Sequence, residues 1–283
     1  MKTKRRKVTV MILIVLGLLL ILVILDSSRL KIVSYRIENE KIGEPLRIAL
    51  ITDLHSCRYG TNQETLVQAV EEQQPDIILL GGDIFDDEVP HQNSRIFLSR
   101  IAQKYPCFYV SGNHEFWSGE IETLKDWIRD QGITVLEGDC QIFEANGSAV
   151  NLCGIDDPTY IGMEEIKVQA EHAYLSADPT KLTLLLTHRP ELADLYREIG
   201  FDLVLAGHAH GGQWRIPGIL NGLLAPDQGL FPKYAGGAYQ LGSTTMIVSR
   251  GLARESTLVP RIFNRPELVV IDLLPEAAEK TNR

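Results

Sequence analysis

Five short clusters of carboxylate, amide and imidazole side chains recur along the chain, and side chains of these types can bind metal ions. In chain order they are Asp53-x-His55, Gly82-Asp83-x-x-Asp86, Gly112-Asn113-His114-Glu115, His188 and Gly207-His208-x-His210. Of the chain's seven histidines, five lie in these clusters. Oxygen and imidazole ligands suit Mn, Fe or Zn, whereas the absence of thiolates from the set argues against a structural zinc site. The clusters therefore predict a metal centre.

Each cluster alone has a simpler explanation. Asp53 could cap a helix, Asn113 could form a turn beside Gly112, and His188 could be an ordinary buried histidine. Their shared position favours the metal interpretation, because each cluster follows the last apolar residue of a predicted strand. Open α/β sheets collect their ligand sites at that edge.

The alternation of apolar runs and amphipathic segments predicts an α/β fold with two sheets. Strands are predicted over residues 46–52, 76–80, 107–110, 133–136, 181–187, 201–206, 246–249 and 268–273, with a hairpin over 141–154 that turns at Asn146-Gly147. Helices are predicted over 62–74, 95–104, 120–130, 164–175 and 190–199. Repeats and low-complexity segments are absent from the sequence, so residues 45–275 are expected to form one domain, preceded by a connector over 26–44 and followed by a polar tail over 276–283.

The first 25 residues have the pattern of a membrane anchor. Five basic residues lie within 2–7, and residues 8–25 contain no charge. Eighteen helical residues reach about 27 Å, close to the hydrocarbon thickness of a bilayer. The basic start predicts a cytoplasmic N-terminus and an extracytoplasmic domain in the cell membrane. A cleaved signal peptide is the main alternative, although the apolar part of such a peptide is usually only about 7–15 residues long. The pair Arg5-Arg6 also offers a weak signal for twin-arginine export.

The charge balance and the cysteines limit the classes of partner. With the five N-terminal basic residues set aside, 23 Lys and Arg face 37 Asp and Glu, a net charge of −14. An acidic domain lacks the general attraction for nucleic acid, so no nucleic-acid partner is expected, and no protein partner is implied. The four cysteines lack CxxC spacing, which favours buried thiols, although their even number permits disulfides.

The five clusters resemble the motifs of the calcineurin-like metallophosphoesterase superfamily, all present in order across about 160 residues. The runs Gly207–Gln213, Val248–Leu252 and Phe263–Leu268 also resemble the bacterial membrane-associated branch of these enzymes. The resemblance implies a four-layer α/β/β/α sandwich. Ala209 stands where Thr is commoner, but that position is not a ligand. Some members of this branch are similar to UDP-2,3-diacylglucosamine hydrolases, whose substrate is made in the cytosol, so the predicted topology makes that activity a secondary alternative.

The resemblance also implies a role for each side chain. It places Asp53, His55 and His210 on a first divalent metal ion, Asn113, His188 and His208 on a second, and Asp83 between the two. Two such ions (Mn, Fe or Zn) would activate a bridging hydroxide that attacks phosphorus in line. His114 is the candidate proton donor to the leaving oxygen and Asp86 the candidate that orients its ring. Glu115 receives no chemical role and is interpreted as a carboxylate that begins a helix or supports the ligands from behind.

The substrate is less constrained than the chemistry. One such site could hydrolyse phosphodiesters, phosphomonoesters or pyrophosphates. The segment over residues 214–234 is rich in apolar side chains and contains only three charges, so it either meets the membrane and admits a lipid-linked substrate or packs on the domain's own core. Arg58, Arg189 and Tyr160 either contact the substrate phosphate or belong to ordinary surface. A non-catalytic, anchored binding module is the alternative from another functional class.

Overall fold

The computed structural model describes residues 2–254 and 260–276, and within the first helix the side chains of 2–8, 12, 16, 19 and 20 lie outside the description. Residues 277–283 of the expected polar tail lie outside it too. The helices are α1 (Lys2–Ser27), α2 (Glu64–Gln73), α3 (Gln92–Ile101), α4 (Asn113–Trp117), α5 (Ile121–Asp130), α6 (Pro158–Ile161), α7 (Met163–Leu175) and α8 (Ala193–Ile199). The strands are β1 (Lys31–Asn39), β2 (Leu46–Ile51), β3 (Ile77–Gly81), β4 (Cys107–Val110), β5 (Thr134–Val135), β6 (Asp139–Ala145), β7 (Ser148–Gly154), β8 (Leu182–Leu186), β9 (Leu203–Ala206), β10 (Leu224–Ala225), β11 (Gly229–Leu230), β12 (Gly237–Leu241), β13 (Thr244–Val248) and β14 (Glu267–Pro275).

The first sheet has the strand order β1-β14-β2-β3-β4-β5. Strands β2 to β5 are parallel to one another, so their carboxyl ends lie on one edge. Strand β1 was not predicted, because its residues were assigned to a polar connector. Its side chains alternate between exposed and half-buried positions, and it pairs in parallel with β14 along its whole length. The folded domain therefore begins near residue 31.

The second sheet has the order β12-β13-β9-β8-β7-β6. Strands β7, β8, β9 and β13 run parallel, whereas the hairpin β6–β7 and the hairpin β12–β13 are antiparallel. The predicted turn at Asn146-Gly147 joins β6 to β7. Both of its residues have positive φ, as a two-residue hairpin of this kind requires.

The two sheets pack face to face, and helices cover their outer faces. Ile48 and Leu50 of β2 belong to the apolar cluster between the sheets, whereas Ala49 and Ile51 belong to the cluster under α2, α3 and α5. A third cluster packs α7 and α8 on the second sheet. Successive side chains of β2 therefore point to opposite faces of the sheet, and both faces are buried. Each fully buried Leu contributes about 1.5–3 kcal/mol to stability. The predicted α/β class is confirmed.

The N-terminal residues form helix α1, but the structure does not support the predicted transmembrane helix over residues 8–25. Within the part of the chain that is described, no helix meets the combined length and apolar character that crossing a bilayer requires.

The four cysteines all lie among the described residues and form no disulfide with one another. Cys57, Cys107 and Cys153 are buried, whereas Cys140 is half-buried and faces Cys153 across β6 and β7. This agrees with the expectation of buried thiols. Burial raises the pKa of the Cys107 thiol to about 12, so that side chain is inert at neutral pH.

Candidate metal centre

The seven side chains expected to bind metal follow the carboxyl ends of parallel strands in both sheets. Asp53 and His55 follow β2, Asp83 follows β3 and Asn113 follows β4, all in the first sheet; His188 follows β8, and His208 and His210 follow β9, in the second. All seven are buried. The strand ends of the two packed sheets meet at this edge, so residues distant in sequence share one site.

Five of these seven residues have a left-handed backbone. They are Asp53 (φ 50°), His55 (φ 47°), Asp83 (φ 51°), His208 (φ 65°) and His210 (φ 47°). Non-glycine residues rarely adopt this conformation, which costs on the order of 1–3 kcal/mol at each position. The tight turns point the side chains back across the strand ends, and the surrounding packing holds them there.

Glycines allow the backbone to lie directly against the candidate ligands. A Cβ added at Gly112 would lie 2.2 Å from Asp83 Oδ1, and one at Gly207 would lie 2.6 Å from Asp53 Oδ2. A Cβ at Gly251 would lie 2.5 Å from the Asp53 Cβ. These three glycines are therefore required because any side chain at their positions would collide with a candidate ligand.

The candidate ligand atoms form two groups that share Asp83. In the first group, potential ligand atoms of Asp53, His55, Asp83 and His210 all lie within 4.8 Å of one another. In the second group, the same holds for Asp83, His188 and His208. His55 Nε2 is 3.6 Å and His188 Nε2 is 3.0 Å from the same oxygen, Asp83 Oδ2. This is the arrangement expected of a carboxylate that bridges two cations.

Several buried atoms of the site have no hydrogen-bond partner within the described residues. They are Asp53 Oδ2, His55 Nε2 and Asn113 Oδ1. A buried polar atom without a partner costs about 1–3 kcal/mol, so a group of three at one place calls for an explanation. Divalent cations would supply the missing partner to each, and the donor set of carboxylate, amide oxygen and imidazole suits Mn, Fe or Zn. The residues present therefore fit two divalent metal ions.

The imidazole rings of His55 and His188 are each held by a hydrogen bond at Nδ1, which leaves Nε2 directed at Asp83. His55 Nδ1 lies 2.9 Å from Asp86 Oδ2, and His188 Nδ1 lies 2.8 Å from the carbonyl oxygen of Gly81. A neutral ring that donates from Nδ1 keeps the Nε2 lone pair available for a metal.

Asp83 is held in its charged form. Burial opposes ionisation of Asp83, but the neighbouring His188 and His55 keep its pKa well below the ordinary value, so it can act as an anionic ligand.

The likeness to known proteins agrees with this geometry. A family model described as calcineurin-like phosphoesterase matches residues 46–212, which include all seven candidate ligands. The chain belongs to the calcineurin-like phosphoesterase family.

Relatives of this calcineurin-like chain include bacterial proteins. It is 31% identical over 255 residues to an uncharacterized metallophosphoesterase of Helicobacter pylori strain J99, a match that covers 88% of this chain but only 65% of the relative's length. It is 29% identical over 237 residues to the phosphodiesterase YaeI of Escherichia coli K12, covering 81% of this chain and 83% of YaeI. The solved structure of the phosphopantetheinyl hydrolase PptH of Mycobacterium tuberculosis has the same fold, with a TM-score of 0.51 at 11% identity over 74% of this chain and 91% of PptH.

The structure corrects the expected partner of His114. Asp86 was expected to orient the His114 ring, but its Oδ2 lies 3.8 Å from His114 Nδ1 and is hydrogen-bonded to His55 instead. The neighbouring Asp87 accepts the hydrogen bond from His114 Nδ1 at 2.5 Å. The two adjacent carboxylates thus serve two different rings of the calcineurin-like site, and sequence spacing alone could not assign them.

Glu115 lies at the start of α4 and supports the residues that carry the candidate ligands, as expected of a carboxylate with a structural and not a chemical role. Its carboxylate accepts backbone N–H groups from Asp83, Ile84, Phe85 and Gly112, at 2.7–3.0 Å. It therefore fixes the turn that presents Asp83 and joins it to the turn after β4. Burial and the nearby charge of Asp83 raise the pKa of Glu115, while these N–H groups act in the opposite direction.

Sequence reasoning missed Asp227. Its Oδ2 lies 2.8 Å from His208 Nε2, the nitrogen on the opposite side of the ring from His188. Asp227 lies between β10 and β11 in a loop without periodic pattern, so the chain offered no signal for it.

Arg189 is buried beside the same ring. It binds both oxygens of Asp157 and lies 2.9 Å from His208 Nε2. Of the three residues considered for phosphate contact, only Arg189 contacts a candidate ligand among the described residues. Tyr160 instead bonds Glu122, and Arg58 is exposed.

Proposed function

We propose that the chain is a dinuclear, metal-dependent phosphoesterase. One observation carries the proposal: two groups of candidate ligand atoms share Asp83, and three buried atoms of the candidate ligands have no hydrogen-bond partner among the described residues. The family membership and the likeness to the phosphodiesterase YaeI support the same class of reaction.

The metal ions and the protein side chains would contribute different parts of the reaction. Two divalent ions would acidify a water molecule and hold the phosphoryl oxygens. The seven candidate ligands would hold the ions, and Asp86 and the Gly81 carbonyl orient two of the imidazole rings. His114 lies at the mouth of the site, with its ring centroid 4.3 Å from that of His55 and its side chain partly exposed. Asp87 accepts the hydrogen bond from Nδ1 and leaves Nε2 free to act on the leaving oxygen, to which it donates a proton when both ring nitrogens are protonated.

Replacement of His114 with Asn is expected to lower kcat about a hundredfold, the usual contribution of a general acid. Metal content and KM should stay unchanged, because His114 is placed beside the ions and not on them. Metal analysis and steady-state kinetics would measure this, with His172→Asn on the exposed face of α7 as the matched control. An unchanged kcat for His114→Asn would show that another group protonates the leaving oxygen.

The proposed activity is tested with bis-p-nitrophenyl phosphate. The chelated protein should be inactive, and Mn, Fe, Zn or Co should restore hydrolysis. A protein that binds these metals but hydrolyses neither diesters, monoesters nor pyrophosphates with any of them would instead be a binding module with the same fold.

We propose further that the substrate carries a lipid. The support is the short hairpin of β10 and β11: Asp227 at its turn reaches His208, while Leu224, Leu230 and Phe231 expose about half to two thirds of their surface to solvent. Exposed apolar side chains beside a phosphoesterase site would suit an acyl or prenyl chain. Other members of the segment over residues 214–234 are less exposed: Leu220 and Leu223 are half-buried, and Ala225 and Tyr234 belong to the core cluster of the second sheet.

The double substitution Leu230→Ser and Phe231→Ser is expected to lower kcat/KM about tenfold for a lipid-linked phosphodiester, because two apolar contacts are lost. Hydrolysis of bis-p-nitrophenyl phosphate should be unchanged. Leu175→Ser, at the exposed end of α7, is the control. An equal loss on both substrates would mean that the hairpin supports the site in general and does not select lipids.

We also propose that residues 8–25 hold the domain at the cell membrane, with the N-terminus in the cytoplasm. The support is the uncharged 18-residue run behind five basic residues. Protease added outside spheroplasts should digest the domain; full protection of the domain in intact spheroplasts would exclude this orientation.

A further inference from the structure

A second charged cavity lies where helix α1 meets the domain, apart from the metal centre. Its volume is about 310 Å³, and its lining includes Lys31, Arg215, Arg250, Arg265 and Asp26. None of the candidate metal ligands lines it. In a chain with a formal net charge of −9, a cavity with four cationic side chains is unusual.

The positive charges in this cavity are only partly neutralised. Asp26 pairs with Arg265, and the Nε of Arg250 lies 3.3 Å from the buried carboxylate of Glu267. Arg215 hydrogen-bonds only to neutral oxygens, the side chain of Asn221 and the carbonyl of Gly211. Within the described residues, neither Arg215 nor Lys31 has a carboxylate partner, so the cavity keeps an excess of positive charge.

Two guanidinium groups approach the same point beside Gly236. A Cβ added there would lie 3.4 Å from Arg215 Nη1 and 3.5 Å from Arg250 Nε. Burial and the adjacent charge of Arg250 lower the pKa of Arg215 to about 10. Buried like charges repel one another, and an anion with several oxygens would relieve this repulsion, since arginines bind phosphate oxygens through paired N–H groups.

Apolar side chains are exposed at the cavity and along the helix that leads to it. Phe263 at its edge is exposed, and Asp26 lies in the last turn of α1, whose Leu18, Leu22 and Leu25 are exposed as well. Charged groups that bind phosphate next to a surface that binds hydrocarbon match the two parts of an anionic phospholipid.

We propose that this cavity binds a phosphate group, with the headgroup of an anionic phospholipid as its source. Arg215 and Arg250 would bind the phosphate oxygens, and Lys31 would add a third positive charge. The ligand would be bound and not hydrolysed, because the metal-site side chains are absent from the lining.

Isothermal titration of the full chain in nonionic detergent tests the proposal. The probes are dihexanoyl phosphatidylglycerol, dihexanoyl phosphatidylcholine and inorganic phosphate, each added to metal-loaded and to chelated protein. Binding of phosphatidylglycerol should persist after chelation, which separates it from binding at the metal centre. It should weaken about tenfold in Arg215→Gln and again in Lys31→Gln, as expected when a charge-assisted hydrogen bond or a nearby charge is lost.

The controls distinguish the sources of phosphate. Arg197→Gln removes an exposed arginine on α8 and should bind like the unaltered chain. Equal affinity for inorganic phosphate and phosphatidylglycerol would retain the phosphate site but exclude the lipid as its source. The absence of metal-independent binding, or unaltered binding in both Arg215→Gln and Lys31→Gln, would overturn the proposal. Lys31 is exposed at the start of β1, so its substitution leaves the fold intact and the second variant informative.

Discussion

Replacement of Asp83 with Asn is expected to lower the hydrolysis of phosphodiesters by about a thousandfold or more, several kcal/mol in the activation barrier. Asp83 belongs to both ligand groups, and its Oδ2 faces His55 and His188. The substitution removes one negative charge from between the two proposed ions and should reduce the affinity for both. Metal content per chain, measured by mass spectrometry, should fall together with activity.

This variant should still fold. Asn has the size of Asp, and its side-chain oxygen can keep the hydrogen bond that Asp83 Oδ1 accepts from the backbone of His114. Asp130→Asn, at the exposed end of α5, removes the same charge away from the site and should leave both readouts unchanged. Full activity of Asp83→Asn would contradict the dinuclear site itself.

Replacement of Glu115 with Ala is expected to lower the free energy of unfolding by about 3–5 kcal/mol, even in the metal-free protein. Four buried N–H groups would lose their acceptor, and each donor left without one is costly. Urea unfolding of the chelated protein would measure this loss separately from any loss of metal.

Two further variants test whether the loss of stability in Glu115→Ala comes from its missing carboxylate oxygens. Glu115→Gln keeps one acceptor oxygen and should lose less stability than Glu115→Ala. Glu171→Ala, on the exposed face of α7, should change stability by no more than about 0.5 kcal/mol. If Glu115→Ala were as stable as Glu171→Ala, the carboxylate would not be what holds the turn at Asp83.

The shared location of the candidate ligands could be predicted from the sequence, because the apolar pattern marks where each strand ends and the residue type marks a side chain able to bind metal. Asp53, Asp83 and His188 each follow a buried apolar run, and the edge of a parallel sheet brings such positions together. The α/β class followed from the same runs. Strand β1 was missed because its polar residues resemble those of a linker, and only its pairing with β14 identifies it.

The contacts around the ligands could not be predicted in this way. Asp86 and Asp87 are neighbours in sequence, and the turn that contains them decides which contacts His55 and which contacts His114. Asp227 lies in an irregular loop, and its approach to His208 depends on how that loop folds back over the site. Short-range pattern carries no information about such contacts between distant segments.

The candidate ligands come from both sheets, four from the first and three from the second, and this has a mechanical consequence. Ions bound there would fasten the two halves of the sandwich at one end, where the apolar interior gives way to polar groups. Free metal at a hundred times its dissociation constant would add about 2.7 kcal/mol to the free energy of unfolding for each ion. Scarcity of metal would therefore shorten the lifetime of the folded protein as well as stop its turnover.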